Sequence, residues 1–181
     1  MNLGVDPGNA WRLSVKFLLL GVLVGSLLGG AVGFAGGIFA FPFLFPPPEL
    51  NEQVVDKAPT DIIARGDFIH ADPSDPVHYG RGQAELYSDL LHLGADFEVG
   101  PGPKYHVYLV PVAEVGTDTR VDQTMFVDLG RLKAFSGSQN YAVPEGIDLR
   151  DYPSVVVWCE QFDVLISPAQ LRFSQTESTT D

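Results

Sequence analysis

The chain has 181 residues, 45% of them hydrophobic and 11% aromatic, which is enough for one packed domain with an appendage and too apolar for general disorder. Its 11 basic and 23 acidic residues give a net charge of −12. That balance argues against nucleic acid as a partner, because phosphate-backbone binding needs Lys and Arg to displace counterions. The single cysteine, Cys159, excludes a disulfide within the chain, Cys-x-x-Cys zinc or redox motifs and covalent c-type haem attachment.

In chain order, the first feature is a stretch without charge from 17 to 48, too long for an ordinary core helix. The expected organisation is a cytoplasmic N-terminus at 1–16, a transmembrane helix at 17–45, a proline-containing linker at 46–65, a β domain at 66–172 and a disordered tail at 173–181. Arg12 and Lys16 precede the apolar run, and Glu49 and Glu52 come after it. The positive-inside rule then predicts a single-pass protein of the cell membrane, N-terminus cytoplasmic and C-terminal domain extracytoplasmic. The competing reading is a cleaved signal peptide, with Gly33-Phe34-Ala35 as its small-residue site. The run exceeds an ordinary signal core and continues past that site through Ile38, Phe39, Phe41 and Phe43, which favours an uncleaved anchor. A lipoprotein would need a cysteine just after the run, where there is none.

Gly21, Gly25, Gly29, Gly33 and Gly37 recur at every fourth residue. That spacing lines one helix face with small residues and predicts self-association or packing on a partner helix; the plainer reading is that glycine is common in membrane helices. The triple proline at 46–48 favours an extended tether. Residues 47–181 hold 9 basic and 22 acidic residues, a net of −13, so the outer part is more acidic than the whole.

Beyond residue 65, short apolar runs alternate with Gly, Pro, Asp and Asn. Strands are expected at 66–71, 82–88, 90–93, 105–111, 124–132, 139–143, 155–161 and 162–166. Phe162, Val164 and Ile166 alternate with Asp163 and Leu165, so the first three are expected on one face. No stretch offers a long amphipathic helix, and Gly100-Pro101-Gly102-Pro103 breaks any strand. The fold class is therefore mostly β: an antiparallel β-sandwich or barrel-like domain preceded by a single N-terminal transmembrane helix.

The run 155–159 is apolar on both faces, as in a strand buried on both sides, so Cys159 reads first as a small buried hydrophobe. Two features pull the other way. An unpaired cysteine outside the cytoplasm is a liability unless buried or used, and polar Glu160 and Gln161 interrupt the strand beside it, which predicts a bulge or a partly open site. A reactive thiolate needs a nearby cation, and Lys and Arg are few here while carboxylates are many. That disfavours a fast free nucleophile and favours a ligand role, in which a metal deprotonates the thiol.

The order of features resembles a known family. Gly66-Asp67-Phe68 is followed by His78-x-x-x-Gly82-x-Ala84 and Glu85-Leu86-Tyr87, then by Leu91-x-Leu93 with Phe97. Gly102-Pro103 leads into Val107-Tyr108-Leu109. Next come Val127-x-Leu129-Gly130-x-Leu132-Lys133, Gly137-x-Gln139-Asn140-Tyr141-x-Val143-Pro144 and Gly146-Ile147-Asp148. The series ends on Tyr152, Val155-Val156-Val157-Trp158-Cys159, Phe162-x-Val164 and Ala169-x-Leu171. Over about residues 62–172 this is similar to the electron-transfer DM-thirteen domain, a small extracytoplasmic module that in bacteria often succeeds one membrane helix. The Trp158-Cys159 strand, with Phe162-x-Val164 and Ala169-x-Leu171 after it, carries most of the specificity.

The resemblance implies a β-rich domain whose redox role centres on Cys159, either as a bare thiol or as a thiolate holding a prosthetic group such as haem. His78, which matches the family pattern, is the candidate second haem ligand; the plainer alternative is a hydrogen bond to its own turn. Lys104 departs from the acidic residue expected after Gly-Pro, a departure expected to bear on that loop and not on Cys159. His92 and His106 alternate with apolar neighbours and are expected to face solvent or a polar contact. His70, Asp72 and Asp75 match no defensible metal spacing. No hydrolase, phosphate-loop or calcium-loop signature is present. The chain therefore reads as an electron-transfer or binding domain more than a classical enzyme. The first reading is a membrane-anchored redox module with a partner protein. The second is a β-sandwich binding or adhesion module with a structural cysteine, and the third makes the glycine-lined helix the working part.

Overall fold

The computed structural model describes residues 7–45 and 48–174, and the chain divides into two units, Met1–Phe45 and Pro46–Asp181. The start of the expected cytoplasmic segment, Pro46 and Pro47 of the expected linker, and the tail from residue 175 lie outside the described residues.

The first unit is a helix, α1, over Pro7–Leu44, with proline in its first turn, where a missing N–H costs nothing. Within it Val15–Ile38, 24 residues, is long and apolar enough to cross a membrane, about 36 Å at 1.5 Å per residue; an uncleaved anchor and a signal sequence share that description. Leu18, Leu23, Leu27 and Phe34 are exposed on it. A helix apolar all round is at home in lipid or in a core, not in water.

The second unit is built from β1 (Leu50–Asn51), β2 (Ala64–Asp67), β3 (Gly80–Arg81), β4 (Gln83–Leu86), β5 (Leu90–Leu93), β6 (Glu98–Val99), β7 (Tyr105–Val110), β8 (Val127–Arg131), β9 (Gly137–Ala142), β10 (Ser154–Cys159), β11 (Val164–Gln170) and β12 (Arg172–Phe173). Among the described residues only short 3-10 turns interrupt them. A six-stranded sheet in the order β1-β9-β5-β4-β2-β12 and a four-stranded sheet in the order β11-β10-β7-β8 carry the fold, with β3-β6 as a small ribbon. Pairings are antiparallel apart from β1 with β9. The domain is thus mostly β, as its patterning predicts.

Alternation decides what fills the space between the sheets. Ala84, Leu86, Leu91, Leu93 and Tyr141 meet Val107, Leu109, Val155, Val157, Cys159 and Ile166 in one buried cluster. The odd-numbered residues of β10 belong to it, and the even-numbered Val156 and Trp158 enter a second cluster with Tyr108, Val110 and Leu165. That outer cluster is closed by Val115, Val121 and Phe126 from the long β7–β8 connection. β10 is therefore buried along its whole length, which is why it reads as a continuous apolar run.

Several expectations change. The segment expected as a tether pairs from Leu50 onward with β9. There the Glu52 carboxylate accepts hydrogen bonds from Lys133 Nζ at 2.8 Å and the Asn140 N–H at 2.7 Å. The expected strands at 155–161 and 162–166 are one hairpin whose turn occupies residues 160–163. Asp163 takes a φ of 53° there, a conformation Asp tolerates. Glu160 and Gln161 thus end the strand instead of bulging it; the register shift lies earlier, between Val157 and Trp158. Phe162, expected on one strand face with Val164 and Ile166, sits in the turn and is 52% exposed.

One buried polar side chain holds the loop before β9. Gln139, 0% exposed, donates from Nε2 to the Ala134 carbonyl at 2.8 Å. Its Oε1 accepts from the N–H groups of Lys133 and Ala134, both at 3.2 Å, and from the Tyr141 hydroxyl at 2.8 Å. Gln139→Leu strands these groups. Denaturant unfolding of the full-length chain in detergent, followed by near-UV circular dichroism, is predicted to show a loss of about 3 kcal/mol or more; a loss below about 1 kcal/mol would contradict the network's role.

Candidate functional site

Cys159 ends β10 and projects into the inner cluster at 1% exposure. Its cross-strand neighbour on β7 is Tyr105, whose buried ring meets Phe135 edge-on at 5.9 Å. The Cys159 thiol donates to the Pro103 carbonyl at 3.3 Å, and one residue on, the Glu160 N–H donates to the Lys104 carbonyl at 3.1 Å. The β6–β7 loop therefore lies along the sulfur. Glycine at 102 is required for this closure, because a Cβ there would overlap the Tyr105 phenol. Lys104 consequently bears on Cys159 after all: its backbone is part of the cover, and it adopts a φ of 50°.

Burial pushes the Cys159 thiol above its ordinary pKa, and the carboxylates of Asp163 and Glu160 push the same way. The backbone N–H groups of Phe162 and Gln161, in the turn after the strand, oppose the shift without overcoming it. The covered thiol therefore favours its protonated form.

The opposite face of the same strand end is polar. Trp158 faces His106 across the β10–β7 pair. The Nδ1 of His106 lies 3.1 Å from both Asp128 oxygens, and its Nε2 lies 3.5 Å from Glu160 Oε2. Lys104 Nζ stands 3.6 Å from that same oxygen, and the Tyr108 hydroxyl donates to Glu160 Oε1 at 3.1 Å. Asp128 reaches His106 because the β7–β8 register shifts between Val107 and Tyr108, with Gly130 at a φ of 115°; a bulge of this kind re-aims a side chain. His106 thus meets polar partners, as its alternation predicts, but Asp128 and Glu160 escape sequence reading. One lies on β8 and the other in the turn after β10, and only the identity of residue 160 as the first polar residue after Cys159 hints at them.

His78 sits elsewhere. Its Nδ1 contacts Asp75 Oδ2 at 2.5 Å, while Asp75 Oδ1 accepts the N–H groups of Val77 at 2.8 Å and His78 at 3.1 Å. The Val77 N–H, then His78, hold the Asp75 carboxyl down at about 2. His70 Nε2 meets the Asp75 carbonyl at 2.7 Å, and Asp72 accepts from Ser74. His70, Asp72 and Asp75 are thus engaged within one turn and do not converge on a common point. His92 pairs with Asn140 across β5 and β9 at 2.6 Å.

The cleft beside His78, about 250 Å³, is lined by Asp75, Arg120, Trp158 and Leu165 among others. Of the cleft's lining, Trp158 and Leu165 belong to the outer cluster, and Ile166 belongs to the inner one with Cys159. The His78 ring is partnered by Asp75 and the Cys159 thiol by Pro103. A haem held between them does not fit this chain, because the sulfur faces a packed core and the Pro103 carbonyl while the imidazole is engaged by its own turn.

The family model described as Electron transfer DM13 matches residues 74–171, more than half of the chain, and the match runs from the Asp75–His78 turn through β11. Neither the curated proteins nor the solved structures hold a match to the chain. The extent of that match makes this chain a member of the electron transfer DM13 family.

Proposed function

We propose that the chain is a membrane-anchored, extracytoplasmic electron-transfer module in which Cys159 works as a bare thiol. Family membership supplies the electron-transfer class, and the apolar segment Val15–Ile38, behind Arg12 and Lys16, supports the anchor and its orientation. The observation that carries the thiol reading is the covered sulfur: 1% exposed and hydrogen-bonded to Pro103, while His78 is engaged by Asp75.

The redox step that suits such a thiol is exchange with a partner's disulfide. When the 100–104 loop opens, the Cys159 sulfur attacks one sulfur of that disulfide. A bond forms between Cys159 and the attacked sulfur, the partner's S–S bond breaks, and the released partner thiolate takes up the proton that Cys159 gave up. One disulfide replaces another, and the partner is reduced by two electrons in full when a second thiol from outside the chain attacks the Cys159 sulfur of the mixed disulfide and releases the remaining partner thiol. The raised thiol pKa keeps the group inert until opening. The α1 helix is proposed to pair with a second copy along Gly21, Gly25, Gly29, Gly33 and Gly37, where the structure leaves open space.

Full-length chain in detergent, treated with an aromatic disulfide, is predicted to release one thiolate per chain, more slowly than in denaturant and not at all in Cys159→Ser. A native chain that never reacts would make the cysteine structural and favour the binding-module reading. Gly102→Ala, which crowds Tyr105, is predicted to speed the exchange about tenfold, the factor that about 1.4 kcal/mol of strain relieved on opening gives; an unchanged rate would contradict the loop as the cover. Replacing Gly29 and Gly33 with Leu is predicted to abolish crosslinked dimers in membranes, and unchanged crosslinking would remove the helix pairing.

A further inference from the structure

We propose that His106, Asp128 and Glu160 form a binding site for a first-row divalent cation on the outer face of the four-stranded sheet. Each offers one ligand atom, and these atoms lie within 4.8 Å of one another. The three come from β7, β8 and the residue immediately after β10, so the site is made by the sheet and not by a run of acidic sequence. The imidazole, with its side chain only 13% exposed, lies between the two carboxylates. One nitrogen and two carboxylate donors are a mixed set that suits zinc, manganese or cobalt better than calcium or magnesium, which prefer oxygen alone.

The surroundings support the ligands as an outer shell does. The Tyr108 hydroxyl holds Glu160 Oε1, which leaves Oε2 turned toward His106. The Gly130 N–H donates to Asp128 Oδ1 at 2.8 Å. Such partners fix ligand orientation and raise affinity. Lys104 now stands beside Glu160 Oε2 at 3.6 Å with its side chain 54% exposed, a flexible ammonium that an incoming cation displaces into solvent. A cleft of about 330 Å³ reaches Glu160, the one of the three ligands that lines it, and also presents Asp122 and Asp163. Cys159 is not a ligand, because alternation sends its sulfur through the other face.

The test is titration of chelator-treated, full-length chain in detergent with Co²⁺, read by the visible absorption of the coordinated ion. The expected result is a band that saturates at one equivalent per chain. His106→Ala and Asp128→Asn are each expected to weaken it about tenfold or more, Tyr108→Phe about tenfold, and Lys104→Met to tighten it; far-UV circular dichroism verifies that each variant is folded. Absence of a saturable band, or a band unchanged in His106→Ala or Asp128→Asn, would overturn the site and leave the three residues as an ion-paired face.

Discussion

The organising constraint of this domain is the burial of one strand on both of its faces. β10 is packed inside by the six-stranded sheet and outside by the β7–β8 connection. Successive side chains of a strand point to opposite faces, so consecutive residues at its end fall into different chemical settings. Trp158 enters the outer cluster, Cys159 the inner core, and Glu160 returns to the polar side. A one-residue slip would exchange them. Burial on both faces resists that slip, since it would place the cysteine in the outer cluster and the tryptophan in an inner core fitted to Val107, Leu109 and Ile166.

That alternation divides the labour at the strand's end. On the inner side a thiol is sealed by a glycine- and proline-rich loop whose carbonyls at 103 and 104 continue the β7 edge past its last regular pair. The seal raises the energy of the thiolate, so the proposed exchange calls for local opening of the loop. On the outer side the same few residues hold an imidazole between carboxylates. The two settings share a backbone: residues 104 and 160 belong to the outer polar face by their side chains and to the cover of Cys159 by their main chain.

The sequence makes some of this legible and hides the rest for physical reasons. β5 falls at the expected residues 90–93 because Leu91 and Leu93 alternate with Leu90 and His92 between turn residues. β10 is visible as an unbroken apolar run. The hairpin at 160–163 is harder, because Phe162 continues an apparent alternation although it belongs to the turn. β1, β3, β6 and β12 are two-residue strands, too short for any period, and β1 is fixed by partners far along the chain. Cys159 is legible as a buried cysteine and, through the family pattern, as the redox candidate. That His78 turns to Asp75 instead of to Cys159 is not, since it depends on the conformation of the 75–78 turn. The Asp128–His106 contact depends on a register shift that no local pattern announces.

The most direct measurement of the central claim is a redox titration of Cys159 itself. The full-length chain in detergent would be equilibrated against glutathione buffers of graded potential, quenched in acid, and its free thiol counted by mass-tagging. A bare-thiol electron carrier predicts a reversible transition from free thiol to mixed disulfide, returned in full by reduction and absent in Cys159→Ser. A cysteine that stays free across the whole range, in a chain that remains folded, would contradict the account and make Cys159 part of the core and nothing more.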